Sequence, residues 1–265
     1  MQIPLYTSKW HDNLWAALIS FTCLPLRKVY EPPRDSFRHI YEYWPLTGWI
    51  TGGITAAVLW TGSAVLPYPV AVIIALAVRL LLTRARNENS LIRFINGFGH
   101  GGNAPDRILS IMKGPQGGIY GTCGTALYVA LLFASLLCMP PEVAALTVAA
   151  ADPYAKMIAS QIMMMMPQAG TGYGKEDNPV FLRMGVRSSV LLAVQGLLPP
   201  VAYIYIMYAY TEWQILLFAP CVTMYFLYLL IWNRLRGYTE ECCGALFLLV
   251  ELTIYAATMY THVTA

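Results

Sequence analysis

Charged side chains are scarce in this chain. Asp, Glu, Lys and Arg make up 12% of its 265 residues, whereas 57% are hydrophobic and the mean hydropathy is +0.52. A soluble domain keeps its surface solvated with about a quarter charged residues. The scarcity therefore excludes an ordinary soluble domain and predicts a protein embedded in a membrane.

Metal-binding and processing signals are also missing. The six cysteines lie in or beside apolar runs without the spacing of metal ligands, so we expect small apolar side chains in reduced form. No small-residue cleavage site follows the first apolar run, and we expect no cleavable signal peptide. The net charge of +3 is small, and we expect no nucleic-acid partner. The cysteines are Cys23, Cys123, Cys138, Cys221, Cys242 and Cys243.

The chain contains a series of apolar runs. A helix needs roughly 20 apolar residues to cross a hydrocarbon core about 30 Å thick. A first run, 14–25, is short and ends at Pro25, so it is either a thin first crossing or an interfacial helix. The sequence thus predicts a single all-α domain, a polytopic integral membrane helix bundle of seven or eight spans. The other seven runs are 46–66, 70–83, 119–139, 142–166, 188–210, 213–232 and 242–261.

Positive charge is distributed unevenly between the connections. The linker 26–44, the loops 84–118 and 167–187 and the turn 233–241 together hold all of the 17 Lys and Arg residues except Lys9, Arg79 and Lys156. Connections rich in Lys and Arg stay in the cytoplasm. We therefore expect all the long loops on the cytoplasmic face of the membrane.

Apart from Glu142 at the edge of its span, four charged residues fall within the spans, where a charge is costly. Asp152 and Lys156 are four apart, so on a helix they face each other; the pair is either structural or lines a site. Asp152 also precedes Pro153 and is expected to cap a half-helix that restarts there. Arg79 lies close to the cytoplasmic end and is expected to snorkel, whereas Glu251 should face the bundle interior.

The longest hydrophilic interval, 84–118, combines glycines with basic residues. A flexible Gly-rich backbone presents N–H groups to anionic oxygens, and nearby Lys or Arg neutralises phosphate charge. A Mg²⁺ ion also needs one or two carboxylates, but Glu88 and Asp106 are the only acids here. The interval predicts an anion-binding loop with few metal ligands. Its glycines are Gly97, Gly99, Gly101, Gly102, Gly114, Gly117 and Gly118, and the basic residues around them are Arg86, Arg93, Arg107 and Lys113.

Five segments, in this order, resemble the cobalamin synthase family, adenosylcobinamide-GDP ribazoletransferase. They are YWPLTGW (43–49), NGFGHGG (96–102), ILSIMK (108–113), ADPYAKMIASQI (151–162) and GYTEECCGALFLLVEL (237–252). The resemblance runs nearly end to end. It implies that the chain joins α-ribazole, or its phosphate, to GDP-activated cobinamide and releases GMP, using Mg²⁺. It also implies that the active site lies in cytoplasmic loops of a bacterial inner-membrane protein.

The chain departs from this family at the acidic motif. The family reads approximately His-Glu-Asp-Gly-Leu-Ala-Asp-Phe-Phe-Asp-Gly where this chain has Asn-Glu-Asn-Ser-Leu-Ile-Arg-Phe-Ile-Asn-Gly, from Asn87 to Gly97. Asn89, Arg93 and Asn96 thus stand in place of three aspartates. An amide oxygen can still ligate Mg²⁺, but an arginine cannot, and the loss of carboxylates weakens the attraction of a divalent ion.

The resemblance assigns candidate roles to residues of this chain. The candidate catalytic residues are Glu88, Asp106, Lys113, Asp152 and Lys156. The candidate substrate-binding residues are Gly97, Gly99, Arg107, Thr239 and Glu241, and the candidate Mg²⁺ ligands are Glu88, Asn89 and Asn96. The expected partners are membrane lipid and small molecules of corrinoid and nucleotide type, and the sequence leaves open whether the chain forms a homo-oligomer.

Two other hypotheses stay open beside the transferase. The lost carboxylates favour a catalytically inactive family scaffold or binding subunit. The charged residues Asp152 and Lys156 within a predicted span suggest a small transporter. This hypothesis is less favoured, because no pair of matching interrupted helices is evident in the two halves of the chain.

Overall fold

The computed structural model describes residues 10–114, 118–169, 185–207 and 212–264, and these residues form helices joined by short turns. The one β-bridge among them pairs Gln168 with Tyr238. The predicted all-α class is confirmed. The helices are α1 Trp10–Phe21, α2 Trp44–Val65, α3 Tyr68–Thr83, α4 Arg86–His100, α5 Pro105–Lys113, α6 Ile119–Leu137, α7 Pro141–Ser160, α8 Ile162–Met165, α9 Val186–Ile206, α10 Trp213–Leu235 and α11 Glu240–Thr264, with 3₁₀ helices at Leu26–Lys28 and Arg34–Tyr43.

Several helices are long and apolar enough to cross a membrane. Among the described residues these are α6, α9, α10 and α11, and α3 with α4 would add a fifth span that is bent by 87°. α2 and α7 have 22 and 20 residues but are less apolar, because α2 is rich in Gly and Thr and α7 contains three charged residues. The membrane bundle is thus confirmed, and the count of seven or eight spans stays a prediction.

The first apolar run forms a short helix. α1 has 12 residues, about 18 Å at 1.5 Å per residue, which is well short of the hydrocarbon core. The Tyr30 hydroxyl donates to Asp12 Oδ1 at 2.7 Å near the start of α1. Beyond its end, the Cys23 N–H donates to the Leu82 carbonyl of α3 at 2.7 Å. The length of α1 therefore agrees with an interfacial helix and is too short for a full crossing.

α7 occupies the centre of the bundle, where α2 packs against it. Every residue from 150 to 160 is buried. A Cβ at Gly48 would lie 2.7 Å from Pro153 Cα, and one at Gly52 would lie 2.9 Å from Asp152 Cβ. Small residues let helix backbones approach this closely in membrane bundles. α7 runs unbroken through Pro153, so the predicted restart of the helix at Asp152 is wrong.

The interval 84–118, which was predicted to be a loop, is largely helical. α4 and α5 occupy most of it, and Leu91, Phe94 and Phe98 on α4 are buried. The chain turns from α3 into α4 at Arg84 and Ala85, which both have positive φ angles. The loop prediction is wrong because the glycines of α4 pack against neighbouring helices, while the apolar residues of α4 recur at helical spacing.

The polar connections gather at one end of the bundle, which we call the polar end. The Ala169 N–H donates to the Tyr238 carbonyl at 2.8 Å, and Arg234 Nη1 donates to the Phe98 carbonyl at 2.8 Å. These contacts join the segment after α8, the α10–α11 turn and α4. The shared end that the charge distribution predicted is confirmed for the described parts of these three connections; residues 115–117 and 170–184 lie outside the described residues.

Candidate functional site

At the polar end, one face of α4 lies beside the first turn of α11. Arg86 forms a close ion pair with Glu240. Two turns further along α4, Arg93 Nη1 lies 3.8 Å from Glu241 Oε1. We call the surface made by these four residues and the exposed Asn89 the α4–α11 face. Residues three or four apart share one side of a helix, so Arg86, Asn89 and Arg93 point the same way.

A glycine in α11 permits this approach of the two helices. A Cβ at Gly244 would lie 2.6 Å from Ser90 Cβ and 2.8 Å from Ser90 Oγ. A larger residue at either position would push α4 away from α11. The arginine–glutamate contacts therefore depend on small side chains one turn below them.

The two arginines of the face are held differently. Arg86 Nη1 also donates to the Ser20 carbonyl at 2.6 Å, and its guanidinium lies 5.1 Å from the centre of the Phe21 ring. Among the described residues Arg93 has only long contacts, to Glu241 and to the Met112 carbonyl at 3.4 Å. Arg86 thus ties α4 to α1 and α11, whereas Arg93 is the loosely held cation of the face.

The candidate Mg²⁺ ligands on α4 do not form a cluster of carboxylates. Asn96 is buried, its Oδ1 accepts the Gly121 N–H at 2.7 Å, and its Nδ2 donates to the Gly118 carbonyl at 3.2 Å. Glu88 is also buried, and its Oε2 has no hydrogen-bond partner among the described residues. Only Asn89 is exposed. Asn96 therefore joins α4 to the start of α6, and Glu88 faces the bundle.

This donor set does not fit a magnesium ion. Mg²⁺ is bound through one or two carboxylates in near-octahedral geometry, and the helical spacing places Arg93 between Asn89 and Asn96 on one side of α4. Within the described ranges, no group of three or more His, Cys, Asp or Glu side chains could hold a metal ion. Magnesium thus stays a prediction of the resemblance, and we assign it no role at this face.

The α5 candidates lie at opposite ends of their helix. Lys113 is exposed in the last turn, next to the Met112 carbonyl that Arg93 contacts. Asp106 and Arg107 are exposed in the first turn, about 10 Å away at 1.5 Å per residue. Of these three residues, the structure brings Lys113 close to the α4–α11 face and leaves the other two apart from it.

The candidate glycines serve helix packing. A Cβ at Gly97 would collide with Met112 Cγ, and one at Gly99 would lie 2.5 Å from Tyr120 Cε1. Both glycines belong to α4, where they let α5 and α6 approach. Their role in substrate binding stays a prediction, but their backbone is not the open phosphate cradle that a flexible loop would provide.

Comparisons with known proteins agree with the sequence resemblance. The family model for cobalamin-5-phosphate synthase matches residues 13–259. The chain belongs to this family. Curated relatives named adenosylcobinamide-GDP ribazoletransferase include those of Ralstonia nicotianae, 30% identical over 246 residues (91% of this chain and 92% of the relative), and Shewanella baltica, 26% identical over 253 residues (93% and 94%). No solved structure matches the chain.

In this cobalamin synthase family member, Thr239 stabilises the start of α11. Its Oγ1 accepts the Cys242 N–H at 3.3 Å, as a residue does when it caps the first turn of a helix. Thr239 itself is buried, whereas Glu241 is partly exposed on the face. The two candidate substrate-binding residues of this segment therefore differ: Thr239 caps the helix, and Glu241 presents a carboxylate at the surface.

Two buried tyrosines border the polar end. Burial, with a smaller contribution from the neighbouring Cys243, raises the pKa of Tyr238 to about 12. Burial also raises the pKa of Tyr41 well above its ordinary value, with smaller contributions from Cys243 and Glu240. Both phenols are thus neutral near pH 7, so neither can act there as a general base.

The predicted pairing of Asp152 with Lys156 is confirmed in the bundle core. Lys156 Nζ lies 2.7 Å from Asp152 Oδ1. Thr51 Oγ1 on α2 donates to Asp152 Oδ2 at 2.6 Å and accepts from Lys156 Nζ at 2.9 Å. The pair joins α7 to α2 in the bundle core. This packing accounts for the charges that motivated the transporter hypothesis.

A second buried ion pair was not predicted. Arg79 Nη1 donates to Glu251 Oε1 at 2.8 Å, and Nη2 contacts Oε2. The Tyr255 hydroxyl donates to the same Oε1 at 2.9 Å. Arg79 is buried, so the prediction that it snorkels is wrong, while the expectation that Glu251 faces the interior is confirmed. Both residues stand in apolar runs, which was the available signal, but spacing cannot pair residues on α3 and α11.

Proposed function

We propose that this chain catalyses the reaction for which its relatives are named, transferring α-ribazole, or its 5'-phosphate, to adenosylcobinamide-GDP with release of GMP. The observation that carries the proposal is the family match over residues 13–259, which includes the whole α4–α11 face. The expected partners are accordingly a corrinoid, a nucleotide and the surrounding lipid.

The reaction makes one P–O bond and breaks another. The ribazole hydroxyl oxygen attacks the phosphorus that is attached to the corrinoid side chain, the bond from that phosphorus to GMP breaks, and the hydroxyl proton passes to a base. Arg93 can donate N–H groups to the phosphate oxygens, for which a guanidinium has the right geometry. Glu241 is the nearest surface carboxylate and can accept the proton.

We also propose that the polar end faces the cytoplasm of the inner membrane. The connections that meet at this end carry nearly all the Lys and Arg residues of the chain. The excess of Lys and Arg in cytoplasmic loops supports this orientation. Substrates made in the cytoplasm would then reach the α4–α11 face without crossing the bilayer.

Purified full-length chain in detergent tests the activity directly. With adenosylcobinamide-GDP, α-ribazole and MgCl₂ present, we expect GMP and the joined corrinoid product in equal amounts by chromatography. Ser63→Ala, at the opposite end of α2, should retain the rate, and Glu241→Gln should lower it. If neither GMP nor product forms while the protein remains folded, the transferase proposal is wrong.

A binding scaffold without turnover is the second candidate. It is favoured by Arg93, which stands where the family pattern has an aspartate, and by Asn96, whose amide already bonds to Gly118 and Gly121. Saturable binding of adenosylcobinamide-GDP without GMP release would support this candidate over the transferase.

A further inference from the structure

We propose that a phosphate group of an anionic ligand binds Arg93 by displacing Glu241, and that this binding needs no divalent ion. The inference rests on the proposed function for the class of ligand, a nucleoside diphosphate. It goes beyond that function in three respects. Arg93 binds the diphosphate, Glu241 is the group that the ligand replaces, and no metal ion is needed.

Arg93 is available to a ligand. Its side chain is 32% exposed, and its nearest Glu241 oxygen is 3.8 Å away. A guanidinium has five N–H donors, and within the described residues Arg93 makes one hydrogen bond, to the Met112 carbonyl at 3.4 Å. A phosphate offers several acceptor oxygens and a larger charge than a carboxylate, so it satisfies more of these donors than Glu241 does.

Glu241 occupies the position that such a ligand would take. It lies in the first turn of α11, where the helix dipole stabilises negative charge. Its side chain is 19% exposed, so it can move into solvent when displaced. The same helix terminus then faces the incoming phosphate. Glu241 thus keeps Arg93 neutralised in the free protein and competes with the ligand for it.

A divalent ion at this place would be repelled. Arg93 lies between Asn89 and Asn96 on one side of α4, and Asn96 is occupied by its bonds to Gly118 and Gly121. A cation near the guanidinium would gain a single carboxylate, Glu241, and would have to take it from Arg93. The positive charge that a diphosphate needs is already supplied by the arginine.

The second pair of the face provides a matched control. Arg86 and Glu240 have the same residue types on the same two helices, but Arg86 is also held by the Ser20 carbonyl at 2.6 Å and by the Phe21 ring. Removing the Glu240 charge would leave Arg86 fixed against α1. We therefore expect Arg86 to stay structural and only Arg93 to bind the ligand.

The test measures binding of GDP and of inorganic pyrophosphate to full-length protein in detergent by isothermal titration calorimetry, with EDTA or with MgCl₂. We expect binding in EDTA. Glu241→Gln should tighten it about two- to fivefold, the value of a surface ion pair, while Glu240→Gln should leave it unchanged. Arg93→Gln should weaken binding at least about tenfold, and Arg93→Lys should keep part of it. Circular dichroism and the elution volume confirm that each variant is folded.

A metal site predicts the opposite behaviour. Binding that requires Mg²⁺ and is lost in Glu241→Gln would overturn the inference, as would unchanged binding in folded Arg93→Gln. Electron paramagnetic resonance of Mn²⁺ gives a second measurement: the wild-type chain should leave the free Mn²⁺ signal unchanged, and Asn89→Asp/Arg93→Asp should reduce it. A reduction by the wild-type chain that Glu241→Gln abolishes would also overturn the inference.

The outcomes for this inference and for the proposed function are separable. If GMP is not released but the variants change GDP binding as described, the transferase fails and the inference stands. If GMP is released only with Mg²⁺ and Glu241→Gln abolishes both metal and GDP binding, the transferase stands and the inference fails.

Discussion

Arg79 of α3 and Glu251 of α11 form a two-point ion pair inside the bundle, 172 residues apart in the chain. The guanidinium of Arg79 also lies 5.6 Å from the centre of the Phe247 ring, and Lys156 Nζ lies 5.1 Å from the same centre. Both buried pairs therefore meet around one aromatic side chain of α11. This arrangement links α2, α3, α7 and α11.

Breaking the Arg79–Glu251 pair from one side should destabilise the protein strongly. Arg79→Ala leaves the Glu251 carboxylate buried without its partner, which costs about 3–5 kcal/mol. Arg79→Met/Glu251→Leu removes both charges and should recover most of this loss. Thermal unfolding in detergent measures the difference, with Lys113→Ala on the surface as the control. Equal destabilisation by the single and double variants would contradict the explanation.

The packing of α2 on α7 gives a prediction with a neighbouring control. Gly48→Ala places a Cβ 2.7 Å from the backbone of Pro153, whereas Gly53→Ala meets nothing within 4 Å. We expect Gly48→Ala to lower stability by about 1–3 kcal/mol through overpacking, and Gly53→Ala to be neutral or slightly stabilising because alanine favours helix. The melting temperatures of the two variants, compared with that of the wild type, test whether overpacking occurs at Gly48. A similar shift in both variants would show that helix propensity dominates.

Alkaline pH should destabilise the polar end through Tyr238. Burial raises the pKa of its phenol to about 12, from an ordinary value near 10. A raised folded-state pKa gives stability that is complete below about pH 10 and is lost as the pH rises towards 12. Tyr238→Phe should lose less stability over this window, and Tyr225→Phe on the bundle exterior serves as control. Melting temperatures between pH 8 and 12 provide the measurement. An equal loss in all three proteins would exclude Tyr238 as the cause.

The proposed orientation predicts which exposed positions are accessible from outside the cell. A membrane-impermeant maleimide should label Glu142→Cys, at the start of α7, in intact spheroplasts, and Asn89→Cys, on α4, only after lysis. The wild-type chain, with its six cysteines, gives the background labelling. The reverse pattern would place the polar end on the periplasmic side.

The features that could be predicted from the sequence are those that depend on the spacing of residues within one helix and on the total charge of each connection. The Asp152–Lys156 contact follows from residues four apart on one helix, and the gathering of the polar connections follows from the distribution of Lys and Arg. The Arg79–Glu251 pair could not be predicted, because its partners come from distant helices whose rotations about their axes are set by packing.

The glycines of α4 illustrate a second limit. Gly97 and Gly99 suggest a flexible loop when they are considered alone. Their role depends on Met112 and Tyr120, which occupy the space that a Cβ would need. Such a role can be recognised only when the neighbouring helix is in place. The same limit applies to Asn96, whose amide bonds to two backbone groups at the start of α6.

The corner between α3 and α4 determines which side chains the α4–α11 face presents. Arg84 and Ala85, with φ angles of 53° and 50°, complete the turn within two residues. One residue added there would rotate α4 by about 100° and carry Arg93 away from Glu241. The length of this corner therefore sets the register of the helix, and an insertion at the corner would remove the face without altering any residue in it.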